Sequence, residues 1–432
     1  MNRSTVQRRQ VLASIGATVA APWVFTGCRG DDEPTPVVAT DEAQLDQGIA
    51  PRDQRPALPD DEPIVRVRIG RIRSHTADAS TVTIGAADAW IRMVNEPEAE
   101  SANATLRTER GVLVRAPATI ALTASGWTVT DAKGFRPWTS GFETLRFESV
   151  DQAADAPLSV NDTPYPGQLR CVVRQRIDAE HTTSEFDLVS SVPMETYLPG
   201  VLAQELYPHW PRDTFIAQAV AARSFAMSEI WYWTSRRHYD VTNTTLSQVY
   251  RGAVELQRAH DAVESCRGMY LTYDEAIVPG YYSACCGGLA ASAPRVIGPN
   301  PANNVPPLWG REGDDICHDA SVYSWTKRRD RATLARRFAR YGSRRGIKPL
   351  AALTQIDAID IAERSERGRP ILYRVRGGDV ETDVSPYVLK RAIDYSDSTI
   401  ARDGGRLRSS FLDLSVVDDA VIINGRGVGV GL

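Results

Sequence analysis

Residues 186–231 read FDLVSSVPMETYLPGVLAQELYPHWPRDTFIAQAVAARSFAMSEIW, and the fold turns on where the periodicity changes inside this stretch. Phe186 to Val189 is a strand-like run that leads up to Pro193. From Met194 onward the spacing is helical. Pro211 opens a run from Arg212 to Trp231 in which Phe215, Ala219, Ala222 and Ala226 recur at i, i+4, i+7 and i+11, while Ile216, Val220 and Met227 widen the same face. This predicts a buried helix with proline at its first turn, and an alanine stripe that lets another element approach closely. Tyr197 to Leu206 predicts a shorter helix ending near Glu205. Glu205 stands among Val201, Leu202, Leu206, Tyr207 and Trp210. Such surroundings raise a carboxyl pKa by desolvation and suit the group to donate a proton near neutral pH. A solvated glutamate at a helix end fits these residues as well.

Upstream, Val65, Val67 and Ile69 alternate with Arg66, Arg68 and Gly70, the period of a half-buried strand. Further short strands are expected at Thr81–Ile84, Gly111–Arg115, Thr119–Thr123, Trp127–Thr130 and Gln168–Arg174, with Ser125-Gly126 and Lys133-Gly134 as turn chemistry. The expected fold class is α+β: a β-rich N-terminal region, 64–191, followed by a mixed α+β core, 192–432. Residues 28–63 are rich in acids and prolines and read as a disordered tether. Residues 1–27 read as an export signal of twin-arginine and lipoprotein type. Arg8 and Arg9 precede an apolar run from Val11 to Phe25 that is too short to span a membrane, and Thr26-Gly27 precede Cys28, the expected acylation site. The chain is then exported to the cell envelope and held at the membrane by lipid, facing the periplasm or the cell wall. Its 50 Lys+Arg against 54 Asp+Glu give a net charge of −4 over 432 residues, which excludes a tail-driven nucleic-acid binder.

The residues Val192-Pro193-Met194-Glu195-Thr196-Tyr197-Leu198-Pro199-Gly200-Val201, Gln204-Glu205-Leu206, Trp210-Pro211 and Ala217-Gln218-Ala219-Val220-Ala221-Ala222-Arg223-Ser224 resemble the core of the SpoIID/LytB family of sporulation and cell-wall proteins. The likeness continues through Tyr239-Asp240-Val241, Ser247-Gln248-Val249-Tyr250-Arg251-Gly252, Gly268, Leu271-Thr272-Tyr273 and Cys286-Gly287-Gly288, and returns at Leu407-Arg408-Ser409, Phe411 and Gly425-Arg426-Gly427. The resemblance implies a SpoIID-like catalytic core with Glu205 at the catalytic glutamate position. It implies a lytic transglycosylase acting on peptidoglycan glycan strands stripped of stem peptides, at the β-1,4 bond from N-acetylmuramic acid to N-acetylglucosamine. In that reaction the sugar's own C6 hydroxyl attacks C1, so one glutamate serves as acid and then base, and the product is a 1,6-anhydromuramic end. LytB-type relatives instead modify a separate amidase, so a non-catalytic wall-binding module or amidase activator is the alternative.

Arg223, Gln218, Gln248, Tyr250 and Ser283 are the candidate substrate-binding residues. Gln218, Gln248 and Tyr250 suit sugar hydroxyls and N-acetyl groups, or equally a buried backbone group. Arg223 reads as support for substrate or Glu205, or as a structural ion pair. Ser283 occupies a position where the family commonly carries histidine, and the glycine-rich end, Gly427-Val428-Gly429-Val430-Gly431-Leu432, has valine where the family has a further histidine. Cys285, Cys286, Cys317 and His318 offer a zinc set, and some family members bind zinc through Cys and His. For an exported chain a Cys286–Cys317 disulfide is favoured, with free thiols or zinc as alternatives and no cofactor required. Between Lys327 and Arg345, Leu334, Phe338 and Tyr341 recur at i, i+4 and i+7 among nine basic residues, which predicts an amphipathic helix with arginines on its wet face.

Overall fold

The computed structural model describes residues 49–73, 80–87, 89–96, 111–136, 141–150, 156–176, 183–297, 300–310, 317–400 and 404–429. The expected leader, the acylation site Cys28 and the tether as far as residue 48 lie outside the described residues. The fold is α+β, and its contacts divide it into two units. One runs from Arg55 to Gly280; the other holds Tyr281 onward together with the segment that ends at Gln54.

In the first unit the strands are β1 (Ile64–Arg73), β2 (Ser80–Ala86), β3 (Trp90–Glu96), β4 (Val112–Arg115), β5 (Ala118–Thr123), β6 (Gly126–Thr130), β7 (Thr144–Ser149), β8 (Leu158–Val160), β9 (Thr163–Tyr165), β10 (Gln168–Gln175), β11 (Glu185–Pro193) and β12 (Val241–Thr242). They form a seven-stranded sheet in the order β12-β1-β11-β10-β7-β3-β4 and a five-stranded sheet in the order β6-β5-β2-β8-β9. Alternate residues of β2 and β5 are buried, as a half-covered strand requires. In β11, every residue from Glu185 to Val192 is buried, because this strand is central and covered on both faces. Trp127 of β6 meets Phe186 of β11 edge to face at 5.0 Å and donates its Nε1–H to the Glu143 carbonyl at 2.7 Å.

The strand β11 passes directly into α1 (Met194–Glu205), with Pro193 as the last extended residue; α2 (Arg212–Trp233) and α3 (Gln257–Ser265) follow. The division expected near residue 191 is therefore not where the structure divides. The sheet that carries α1 is made of strands from both sides of that position. The anticipated tether is corrected only over its last residues, from Arg55 to Pro63. The Arg55 side chain is buried and donates to the Tyr273 carbonyl at 2.7 Å, and the Pro63 carbonyl accepts from the Met194 amide at 2.9 Å. Phe215, Ala219, Ala222 and Ala226 are all buried on α2. The segment at Gly280 crosses α2 at Ala221, beside that stripe: a Cβ on Gly280 would lie 2.4 Å from the Ala221 carbonyl, so only glycine lets the segment pass. A two-stranded ribbon, β13 (Thr272–Tyr273) with β14 (Ala276–Ile277), completes the unit.

In the second unit, a short α4 (Ala293–Val296) precedes β15 (Ser324–Asp330), α5 (Arg331–Arg345), α6 (Lys348–Ala351), β16 (Ala358–Arg364), β17 (Pro370–Gly377), β18 (Val380–Val384), α7 (Pro386–Ile393), β19 (Phe411–Val417) and β20 (Ala420–Arg426). Two three-stranded sheets, β15-β20-β19 and β16-β17-β18, pack with α5 and α7 around Leu334, Phe338, Tyr373, Leu389 and Ile423. Asp330 caps α5 by accepting from the Thr333 amide at 2.7 Å, and Gly346 ends it at φ 68°. Leu334, Phe338 and Tyr341 are buried as expected. Lys327 to Arg329 lie on β15 rather than on the helix, and Arg329 is buried; on α5 itself Arg337 departs from a wet arginine face, being 1% exposed and donating to the Ile393 carbonyl at 2.9 Å. No helix among the described residues is long and apolar enough to cross a membrane.

Candidate active site

Glu205 is the last residue of α1, after which Leu206 turns extended. Burial pushes its carboxyl above the ordinary value, against the opposing pull of a hydrogen bond donated by the Val249 amide. That amide arrives by a defined route. Val241 and Thr242 pair in parallel with Val67 and Arg68 of β1, and Asp240, fully buried, grips the Arg66 guanidinium at 2.5 Å and its backbone amide at 2.8 Å. A turn follows in which the Thr242 amide donates to the Ser247 hydroxyl at 3.1 Å, and Gln248 to Tyr250 then run past α1. The approach depends on Gly200. A Cβ there would lie 2.5 Å from the Gly252 carbonyl and 2.7 Å from the Tyr250 ring. Beyond Glu205, Tyr207 stacks on His209 at 5.7 Å and meets Trp210 edge to face at 5.4 Å. This aromatic ridge beside a raised carboxyl has the apolar faces on which a planar or ring-shaped ligand could rest.

Arg223, Gln248 and Tyr250 serve the scaffold. Arg223 is fully buried; its Nη2 and Nε donate to Glu195 at 2.6 and 2.9 Å, and its Nη1 to the Met269 carbonyl at 3.1 Å. Of the two readings of Arg223, the structure has the ion pair. Gln248, 1% exposed, accepts from the Tyr197 hydroxyl at 3.0 Å and donates to the Ala222 carbonyl at 3.2 Å, so it ties the Val249 segment to both helices. Tyr250 is buried with its ring 4.9 Å from Tyr197 and 6.1 Å from Tyr165. Neither side chain is placed to meet a sugar, which corrects the expectation for both. Gln218 is half-buried on α2, and its Nε2 has no hydrogen-bond partner.

Ser283 belongs to the second unit. There it lies beside the start of the glycine-rich end. A Cβ on Gly429 would lie 3.3 Å from that of Ser283, and the Val428 amide donates to the Cys285 carbonyl at 2.9 Å. The Cys286 and Cys317 sulfurs are 3.7 Å apart. His318 is exposed and pairs with Asp319 at 3.1 Å. Among the described residues no group of three or more His, Cys, Asp or Glu is gathered closely enough to hold a metal ion.

One residue of the site was not singled out from sequence. Val249 acts through its backbone amide, and only the Ser247–Gly252 motif around it gave a signal. Elsewhere on α2 the Glu229 carboxyl is pushed up to about 7 by burial, with Trp233 donating to it at 3.1 Å. Its indole partner lies under the Arg237 guanidinium at 3.6 Å from the ring centre.

Among known proteins, an uncharacterised protein of Brachyspira hyodysenteriae (strain ATCC 49526 / WA1) is 28% identical over 247 residues, 57% of this chain and 60% of that protein. The amidase enhancer of Bacillus subtilis (strain 168) is 30% identical over 99 residues, 23% of this chain and 13% of that protein. The chain thus spans less than two thirds of either relative. The family model for SpoIID, Stage II sporulation protein, matches residues 182–273, the stretch that runs from β11 through α1, α2 and the Val249 segment to β13. Through that segment, the chain carries a SpoIID-family domain.

Proposed function

We propose that this chain is a peptidoglycan lytic transglycosylase in which Glu205 is acid and then base. The SpoIID segment supports a role at the cell wall, and the observation that carries the finer reading is the Glu205 carboxyl, raised by burial and held by the Val249 amide. A raised carboxyl remains protonated closer to neutral pH, so it has a proton for the glycosidic oxygen as the C1–O bond breaks. The amide then stabilises the carboxylate that results, which takes the proton from the C6 hydroxyl as that oxygen bonds to C1. Intramolecular attack needs no activated water and no second carboxylate, unlike hydrolysis. In this reading the tether and Cys28 hold the domain at the envelope membrane, facing wall glycan. The amidase-enhancer relative favours a second reading, a wall-bound activator of an amidase.

Mass analysis of peptide-free glycan strands incubated with the protein and with Glu205→Gln separates these readings. Anhydromuramic ends from the wild type alone are the expected result. Reducing ends would mean hydrolysis, and binding without cleavage would favour the activator.

A further inference from the structure

In the second unit three chain segments meet around a pair of thiols. The Cys286 thiol donates to the Cys317 sulfur at 3.7 Å. Between the segments that carry these cysteines lies the start of the glycine-rich motif. The Val428 amide donates to the Cys285 carbonyl at 2.9 Å on one side, and the Gly427 amide to the Tyr323 carbonyl at 2.9 Å on the other. The fit is close enough that a Cβ on Gly427 would lie 2.5 Å from the Cys285 carbonyl. Arg369 reinforces the first segment by donating to the Cys286 carbonyl at 3.3 Å, with its guanidinium over the Phe411 ring at 4.7 Å.

We propose that Cys286 and Cys317 are a covalent modification site, a disulfide that clasps the glycine-rich motif between the two segments it joins. The sulfurs must close from 3.7 Å to about 2 Å, within reach of side-chain rotation. Cys285 also approaches Cys317, but it is 1% exposed, whereas Cys286 and Cys317 are both half-exposed and open to an oxidant. The step is thiol–disulfide exchange with a disulfide-bearing oxidant. One thiolate of the pair attacks a sulfur of that disulfide and releases a thiol. The second thiolate then attacks the mixed disulfide at the protein sulfur and releases the other thiol, so two protein thiols and one disulfide become one protein disulfide and two thiols. The new bond closes a span of 31 residues and removes freedom from the segments that hold Val428. This inference is independent of whether Glu205 cleaves glycan.

The test is the full chain equilibrated with oxidised glutathione or with a reducing phosphine, blocked with N-ethylmaleimide and mapped by peptide mass. The expected result is a linked Cys286–Cys317 peptide pair that forms in Cys285→Ser and is lost in Cys286→Ser. Hydrogen exchange at the Gly427 and Val428 amides should slow about tenfold on oxidation. A Cys285–Cys317 or Cys285–Cys286 link, persistent glutathione adducts, or maleimide on both Cys286 and Cys317 after oxidation would overturn the pairing. Unchanged exchange at Gly427 and Val428 would overturn the clasp.

Discussion

Glu195 and Glu205 sit at opposite ends of one helix, and the fold treats them in opposite ways. Glu195 faces a guanidinium that makes two charged hydrogen bonds to it, and the Gly268 amide adds a third contact at 3.3 Å. Glu205 is given burial and a single hydrogen bond from the Val249 amide. A buried carboxylate matched by a buried cation is fixed in one charge state and contributes to architecture. A buried carboxyl without such a match is poised to change protonation, which is the property proton transfer requires. Within α1, then, the partner across the interface separates a fixed charge from a titratable one more sharply than residue type does.

The largest expected effect tests the reactive end. Glu205→Gln should reduce anhydromuramic product formation by at least about a thousandfold in a glycan assay while leaving the thermal midpoint within a degree or so of wild type. A Glu205→Gln variant that stays active would collapse the contrast. The scaffold end should behave in reverse. Arg223→Met leaves Glu195 buried without its cation and should cost about 3–5 kcal/mol in urea unfolding, with much of the loss restored in Glu195→Leu/Arg223→Met, whose folded fraction should still cleave. Next comes the joint between the two ends. Gly200→Ala forces Tyr250 and Gly252 away from α1, so it should cost about 2 kcal/mol by the same measurement and shift the pH profile of cleavage as the Val249 amide moves. The smallest effect concerns Glu229. Its folded pKa, about 7, lies above the unfolded value of 4.5, so folding favours the neutral form. The stability it contributes is complete below pH 4.5 and is lost as pH rises through 7. Glu229→Gln, which can still accept from Trp233, should therefore raise stability by about 1 kcal/mol at pH 8 and by almost nothing at pH 4, as read from thermal melts at the two values.

Local pattern carried much of this. The spacing of Phe215, Ala219, Ala222 and Ala226 gave α2 its buried face, and the apolar neighbours of Glu205 gave its desolvation. What local pattern could not carry is pairing across long separations. Arg223 and Glu195 are 28 positions apart, and Arg66 and Asp240 are 174 apart. Nothing near either arginine in sequence marks its partner. Gln248 and Tyr250 were legible as part of a motif but not as buried side chains, because a motif shows that a segment matters and not which of its atoms face the ligand. In this segment the backbone of Val249 faces the glutamate. The division of the chain was hidden for a related reason: the change from strand to helix at Met194 is a change of period, whereas units are set by which strands share a sheet.

The pairing of β11 has a consequence for how portable this segment is. The stretch 182–273 that matches the SpoIID model begins at β11, yet both neighbours of that strand, β1 and β10, lie upstream of it. Excised at those limits, β11 would present two bare edges, each an open template for intermolecular pairing, and Asp240 would lose the arginine that accompanies it in the interior. The segment is therefore a unit of descent but not a unit of folding. An expression fragment meant to carry Glu205 in its native setting has to start before Ile64.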